Sequence, residues 1–241
     1  MRTAKDGTGL QSTLGVLGPV ARHTVQDQVY GELRRSLIQG LFDAGEVLRI
    51  RDLAQRMSIS TMPVREALAR LISEKALEPL PNRSVRVPLI RRETLEDLAR
   101  ARALIEGRLT EMALPRLGAE DRDALWRDTD AYDNLTGGRI ETAHEAADLN
   151  HAFHFRIYRA AGSAVLIPIV ESLWMQSGPY IRKAAELFDH GSDAPATNHH
   201  HRLLEAIEAG DVAAGRAALV ADIDRAFDLL RRRHTFDREA A

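Results

Sequence analysis

Residues 59–80 read ISTMPVREALARLISEKALEPL, and how this stretch is read decides the fold. The pattern predicts one amphipathic helix starting near Met62, with Pro63 in its first turn, where a missing N–H costs nothing. The opening turn is small and polar and carries Arg65. A helix start of that kind can come close to another backbone and offer it hydrogen-bond donors.

The flanking sequence completes a module. Val25, Val29, Leu33 and Leu37 recur at helical spacing over 25–39, and Gly40 ends that helix. LFDAGEVL reads as a short connection with Asp43 and Gly45 as turn residues. RDLAQRM is a second short helix, and Ser58–Ser60 a turn into the third. Beyond it, LEPLPNRSVRVPL holds two apolar stretches around a turn at 81–84, with Val85 and Val87 alternating against Arg86, a β-hairpin pattern. Three helices and a hairpin in that order make a winged helix-turn-helix over 23–90. After Pro88 the pattern is almost wholly helical, broken at LPRLGAE, LTGGRIE, AAGSAVLIP and DHGSDAPATN. Six or seven helices over 91–234 predict an antiparallel all-α bundle. The expected protein is thus mainly α, with a flexible arm at 1–22 and a tail at 235–241.

Composition narrows the chemistry. The 241 residues are 44% hydrophobic and 28% charged, ordinary for a protein with real cores, and their number allows two domains. There is no cysteine, which excludes disulfides, thiolate metal sites and a cysteine nucleophile, and which fits a reducing cytoplasm. No apolar run is long enough for a membrane span. A net charge of −2 hides an asymmetry: residues 21–91 hold 12 Lys and Arg against 8 Asp and Glu, whereas residues 92–241 hold 19 against 26. A basic first half points to a polyanionic partner.

Double-stranded DNA is that partner if the quoted helix enters the major groove. Ser60 and Thr61 let the backbone approach, and Arg65 can donate two hydrogen bonds to a guanine edge. Arg51, Arg34 and Arg35 are candidates for phosphates, and Arg83 and Ser84 for a contact from the wing tip. The ordinary alternative for each arginine is a solvated surface charge. The run from Leu33 to Val87, with PVREAL at 63–68, resembles the DNA-binding domain of the GntR family of bacterial transcription regulators. That resemblance implies operator contacts at Arg51, Ser60, Thr61 and Arg65. Thr61 stands where the family often has arginine, which implies a shifted operator preference, and Ser84 where glycine is common.

Eight of the nine histidines lie in the acidic half. Asn150 and His154 are four residues apart and share a helix face. His200 continues the apolar stripe of Leu203, Leu204 and Ile207, and Asp222 falls between Leu219 and Ala226. Imidazoles and carboxylates converging inside a bundle suit a divalent metal. Other readings stay open: Asn150 bonding backbone, His199 and His201 solvated, or a surface cluster of His144, Asp148 and His151. RALIEG at 102–107, residues 150–166 and residues 200–223 resemble the FCD effector-binding domain of the FadR subfamily. The resemblance implies a metal held by Asn150, His154 and His200, with Asp222 where a third histidine is expected. Asn150, His154, His200 and Arg102 would then bind a small organic-acid effector. The carboxylate and amide oxygens favour manganese, magnesium or nickel over zinc. A metal-free pocket is one alternative. A metal-dependent hydrolase is another, opposed by the lack of HExxH or His-Asp. The expectation is a cytoplasmic, homodimeric, effector-responsive regulator, a repressor rather than an activator, and not an enzyme.

Overall fold

The computed structural model describes residues 24–81, 84–135, 140–187 and 197–236. The expected arm, the tail beyond 236 and the wing-tip residue Arg83 lie outside the described residues.

Helix α1 spans Val25–Ile38. Thr24 caps it through a reciprocal pair with Asp27, and Gly40 at φ +64° turns the chain away. Strand β1 (Val47–Leu48) leads into α2 (Ile50–Arg56). Ser58, in the left-handed region at φ 54°, makes the turn into α3 (Thr61–Ser73). On α3, Val64, Ala67, Leu68 and Leu71 are buried, the i, i+3, i+4, i+7 stripe of a core helix. Each large side chain on that stripe contributes about 1.5–3 kcal/mol by leaving water. The wing is β2 (Glu78–Pro79) against β3 (Val85–Arg86). The sheet has three antiparallel strands in the order β1-β3-β2, with Val47 opposite Arg86 and Leu48 opposite Val85. Strand β1 is a correction to the connection expected there, since two residues are too few for alternation to show in sequence.

The second half holds α4 (Arg92–Ala113), a 3-10 turn at Leu114–Arg116, α5 (Ala119–Asp133), α6 (Ile140–Ala160), α7 (Leu166–Leu187), α8 (Thr197–Ala209) and α9 (Val212–Arg233). Helix α9 packs on α4, α7 and α8, and α5 bridges α6 and α8. Among the described residues no helix is long and apolar enough to cross a membrane.

Two hydrophobic cores result, one in each half. Helix α7 serves both: Val170, Trp174 and Tyr180 join the bundle core, while Met175 enters the core of the winged module. Gly178 lets α1 approach; a Cβ there would lie 1.9 Å from the Leu37 carbonyl oxygen. Arg34 pairs with Glu171 at 2.7 Å, Arg182 with Asp43 at 2.6 Å, and Ser172 Oγ donates to the Glu74 carbonyl at 3.0 Å.

Candidate functional site

The start of α3 is open to solvent. Ser60, the N-cap, makes no side-chain cap bond, so the first-turn N–H groups are not occupied by it. Ser60, Thr61 and Arg65 are exposed, as are Arg35 and Arg51. Among the described residues Arg51 and Arg65 have no ion pair or side-chain hydrogen bond, and Arg35 is only 3.8 Å from Glu32. Met62, 60% exposed on the same turn, was not legible as a surface residue from its apolar character.

Two expected contacts are corrected. The Arg34 guanidinium is engaged by Glu171 of α7, so it holds the two halves together rather than waiting for a phosphate. Ser84 is buried at 6% exposure, at the base of β3 rather than at an exposed tip.

Inside the bundle, three of the expected residues meet. His154 Nε2 (α6) lies 3.1 Å from Asp222 Oδ2 (α9), and His200 Nε2 (α8) lies 3.8 Å from the same oxygen. Both histidines are 1% exposed. One ligand atom from each residue lies within 4.8 Å of the others. Asn150 is half-buried one turn before His154 on α6.

The hydrogen bonds orient His154. Burial, then the charge of Glu106, pushes the Tyr158 phenol well above its usual range, so Tyr158 keeps its proton and donates it to Glu106 at 2.5 Å. His154 Nδ1 stands 3.1 Å from that hydroxyl and must be the donor to it. Its Nε2 is the atom that faces Asp222. Burial alone would raise the Asp222 carboxyl, but the His154 contact and the neighbouring His200 outweigh it and hold the group well below the carboxylate range. The 3.1 Å between His154 Nε2 and Asp222 Oδ2 is spanned either by a proton on the imidazole or by a cation. His200, pushed by burial down to about 4, is neutral at physiological pH, and neither of its nitrogens has a partner. The donor set, two nitrogens and a carboxylate oxygen, fits a divalent ion.

Arg102 is where the expectation fails. It is 5% exposed, and its Nε and Nη2 donate to Glu106 at 2.6 and 3.2 Å. Trp174 Nε1 donates to the same carboxylate at 3.0 Å, and the Arg102 guanidinium lies 4.7 Å from the Trp174 ring centre. This is a closed structural pair beneath the histidines. The ion pair with Glu106 one turn on is the signal in sequence that foretells it. His201 bonds Asp133 at 2.7 Å, and His151 stacks on Phe155 with ring centres 4.2 Å apart. Of the expected cluster of His144, Asp148 and His151, Asp148 accepts from Gln39 and its charge acts on His151, while the His144 side chain lies outside the described residues.

Comparison with known proteins agrees with both halves. Residues 25–87 match the bacterial regulatory proteins of the gntR family, and residues 97–225 match the FCD domain. The HTH-type transcriptional regulator McbR of Escherichia coli K12 is 27% identical over 190 residues, covering 76% of this chain and 82% of that protein. The HTH-type transcriptional repressor GlaR of the same organism is 29% identical over 153 residues, 63% of this chain and 70% of that one. In structure, E. coli McbR/YncC superposes with a TM-score of 0.78 at 24% identity, covering 88% of this chain and 99% of that one. A transcriptional regulator GntR from Rhodococcus sp. RHA1 gives 0.70 at 21%, covering 87% and 99%. The chain belongs to the gntR family of bacterial transcription regulators, a DNA-binding winged helix-turn-helix joined to an FCD effector-binding domain, and it is not an enzyme.

Proposed function

We propose that His154, His200 and Asp222, with Asn150 one turn before His154, hold a divalent ion and receive a small organic acid, and that this occupancy sets operator affinity. The observation that carries the reading is the convergence of His154 Nε2 and Asp222 Oδ2, 3.1 Å apart, beside His200, whose two nitrogens have no partner. A bound ion supplies Lewis acidity and open positions for a carboxylate oxygen. The chain's own part is to fix the ring of His154 through Tyr158 and Glu106, and to keep His200 neutral and able to ligate. The carboxylate of Asp222 and the amide oxygen of Asn150 favour manganese, magnesium or nickel over zinc.

Arg51, Ser60, Thr61 and Arg65 read and grip operator DNA, with Arg35 on a phosphate. A homodimer would set two recognition helices on successive major grooves of a two-fold operator. Helix α7 is the mechanical link, with Trp174 against the histidine site and Glu171, Ser172, Met175 and Arg182 on the winged module. Repression is favoured because GlaR and the gluconate operon regulator of Bacillus licheniformis are named repressors, although the Glc operon regulator of E. coli is named an activator. Such a regulator works in the cytoplasm, where its operator is.

Metal analysis of the purified protein before and after chelation tests the site. About one ion per chain, lost in His154→Ala with the dimer intact, supports it. A folded protein that holds no ion overturns the metal and leaves a second reading. In that reading the effector binds His200 directly, as its two unpartnered nitrogens allow.

A further inference from the structure

Among the described residues, eight buried side-chain nitrogen and oxygen atoms have no hydrogen-bond partner. All of them lie on α5, α6, α8 and α9: Asp128, Thr129, His151, Arg156, His199, both nitrogens of His200, and Arg225. None lies in the winged module. Buried polar groups are normally satisfied, because each orphan costs about 1–3 kcal/mol. Their concentration on the four helices that surround His200 marks an interior arranged to meet something polar.

Two of these atoms belong to arginines. Arg156 Nε is 3.7 Å from Asp128 Oδ2, close enough for the charges to offset each other. Arg225 is different. Its Nε is buried without a partner, and among the described residues the guanidinium has no ion pair or hydrogen bond. It lies three residues after Asp222, so it rises on the same face of α9. The positive charge of Arg225 acts on Asp222 and His200, and also on Tyr132 of α5, whose ring is 6.0 Å from that of His200. Asp222 makes the surroundings of His200 negative, which alone would repel an anion. A cation on the same face, not neutralised by contact with that aspartate, reverses the effect for whatever approaches His200.

We propose that Arg225, rather than Arg102, is the guanidinium that takes the effector's carboxylate, with the Tyr132 phenol and His200 as its neighbours in the pocket. The assignment rests on the effector-site reading above and adds to it. Arg102 has already given its Nε and Nη2 donors to the buried Glu106 carboxylate, which leaves an acid only the outer Nη hydrogens. Arg225 gives up nothing, and its planar fork matches a carboxylate with two parallel hydrogen bonds. The ligand class is therefore an anionic carboxylate. The uncharged amide of the same acid lacks the charge and the second acceptor oxygen.

The test is calorimetric titration of the full-length, as-purified protein with glycolate, lactate, malonate and succinate, with lactamide as the uncharged control. The same series is run on Arg225→Gln and Arg225→Lys, with bound metal and melting temperature measured for each. The expected result is saturable binding of at least one acid and none of lactamide. Affinity should fall at least tenfold in Arg225→Gln and less in Arg225→Lys, with metal content unchanged. Equal affinity in the wild type and Arg225→Gln overturns the role of Arg225 while leaving the effector site standing. Failure of every acid to bind the wild type overturns the carboxylate reading itself, Arg225 included. Should Arg225→Gln not fold, Arg225→Lys decides: it keeps the charge, so an unchanged affinity overturns the bidentate contact and a several-fold loss supports it.

Discussion

Arg102 and Glu106, one turn apart on α4, face each other in the bundle interior with Nε and Oε1 2.6 Å apart, and Glu106 is fully buried. Tyr158 and Trp174 complete the ring of donors around the carboxylate. The site above is built on this pair, because Tyr158 passes its orientation on to His154.

Breaking the pair should cost stability before it costs binding. Arg102→Ala leaves Glu106 buried and without its countercharge, a loss of about 3–5 kcal/mol. Urea unfolding should show it as a lower midpoint, and a shift of less than about 1 kcal/mol would mean that Glu106 finds another partner.

Arg65 and Arg34 should separate DNA reading from domain docking. Arg65→Ala is expected to cost about 1–3 kcal/mol in operator binding with the melting temperature unchanged. Arg34→Ala should lower the melting temperature, because Glu171 loses its partner, while leaving the salt dependence of DNA binding as it was. Fluorescence anisotropy at two or three salt concentrations checks both variants. Equal operator affinity in Arg65→Ala and the wild type would remove α3 from the interface.

Two glycines predict opposite signs. Gly178→Ala puts a methyl group against the Leu37 carbonyl, so α1 and α7 must separate and the melting temperature should fall by several degrees. Gly31, exposed inside α1 with nothing within 4 Å of a built Cβ, should gain about 0.5–1 kcal/mol as alanine. A scan of each variant is enough, and a neutral Gly178→Ala would show that the two halves are not held by this contact.

Acid should weaken the fold through His151. Burial, with Arg159 and Arg34 adding to it, pushes this imidazole from 6.5 down to about 4. The unfolded chain therefore takes up the proton first as pH falls. The stability contributed by the neutral folded form is complete above pH 6.5 and disappears by about pH 4, at most about 3 kcal/mol. Melting temperatures at pH 7.5 and pH 5 should converge in His151→Gln relative to the wild type. An identical acid loss in both would exclude His151 as the source.

Much of the architecture was legible because it repeats locally. The stripes of α1 and α3, the Gly40 stop and the Pro63 start each concern residues within one or two turns, where helix periodicity speaks directly. The wing was legible from its Val85–Val87 alternation, but β1 was not, because two residues carry no period. Near the site, the four-residue step from Asn150 to His154 was visible, and so was the Arg102–Glu106 step, whose ion pair is the one the fold forms.

The sequence by itself determined the order of the helices and the hairpin, the family, and which side chains are chemically able to bind DNA, a metal or an acid. Only the tertiary structure decided which of those side chains remain available. Arg102 is closed off by Glu106, Arg34 by Glu171 and Ser84 by burial at the base of β3. Arg225, which no motif singles out, keeps its charge without a contact partner. The reason is physical. A helix period fixes which face a residue occupies, whereas whether its charge is already matched depends on what another helix, tens of residues away, brings within about 4 Å.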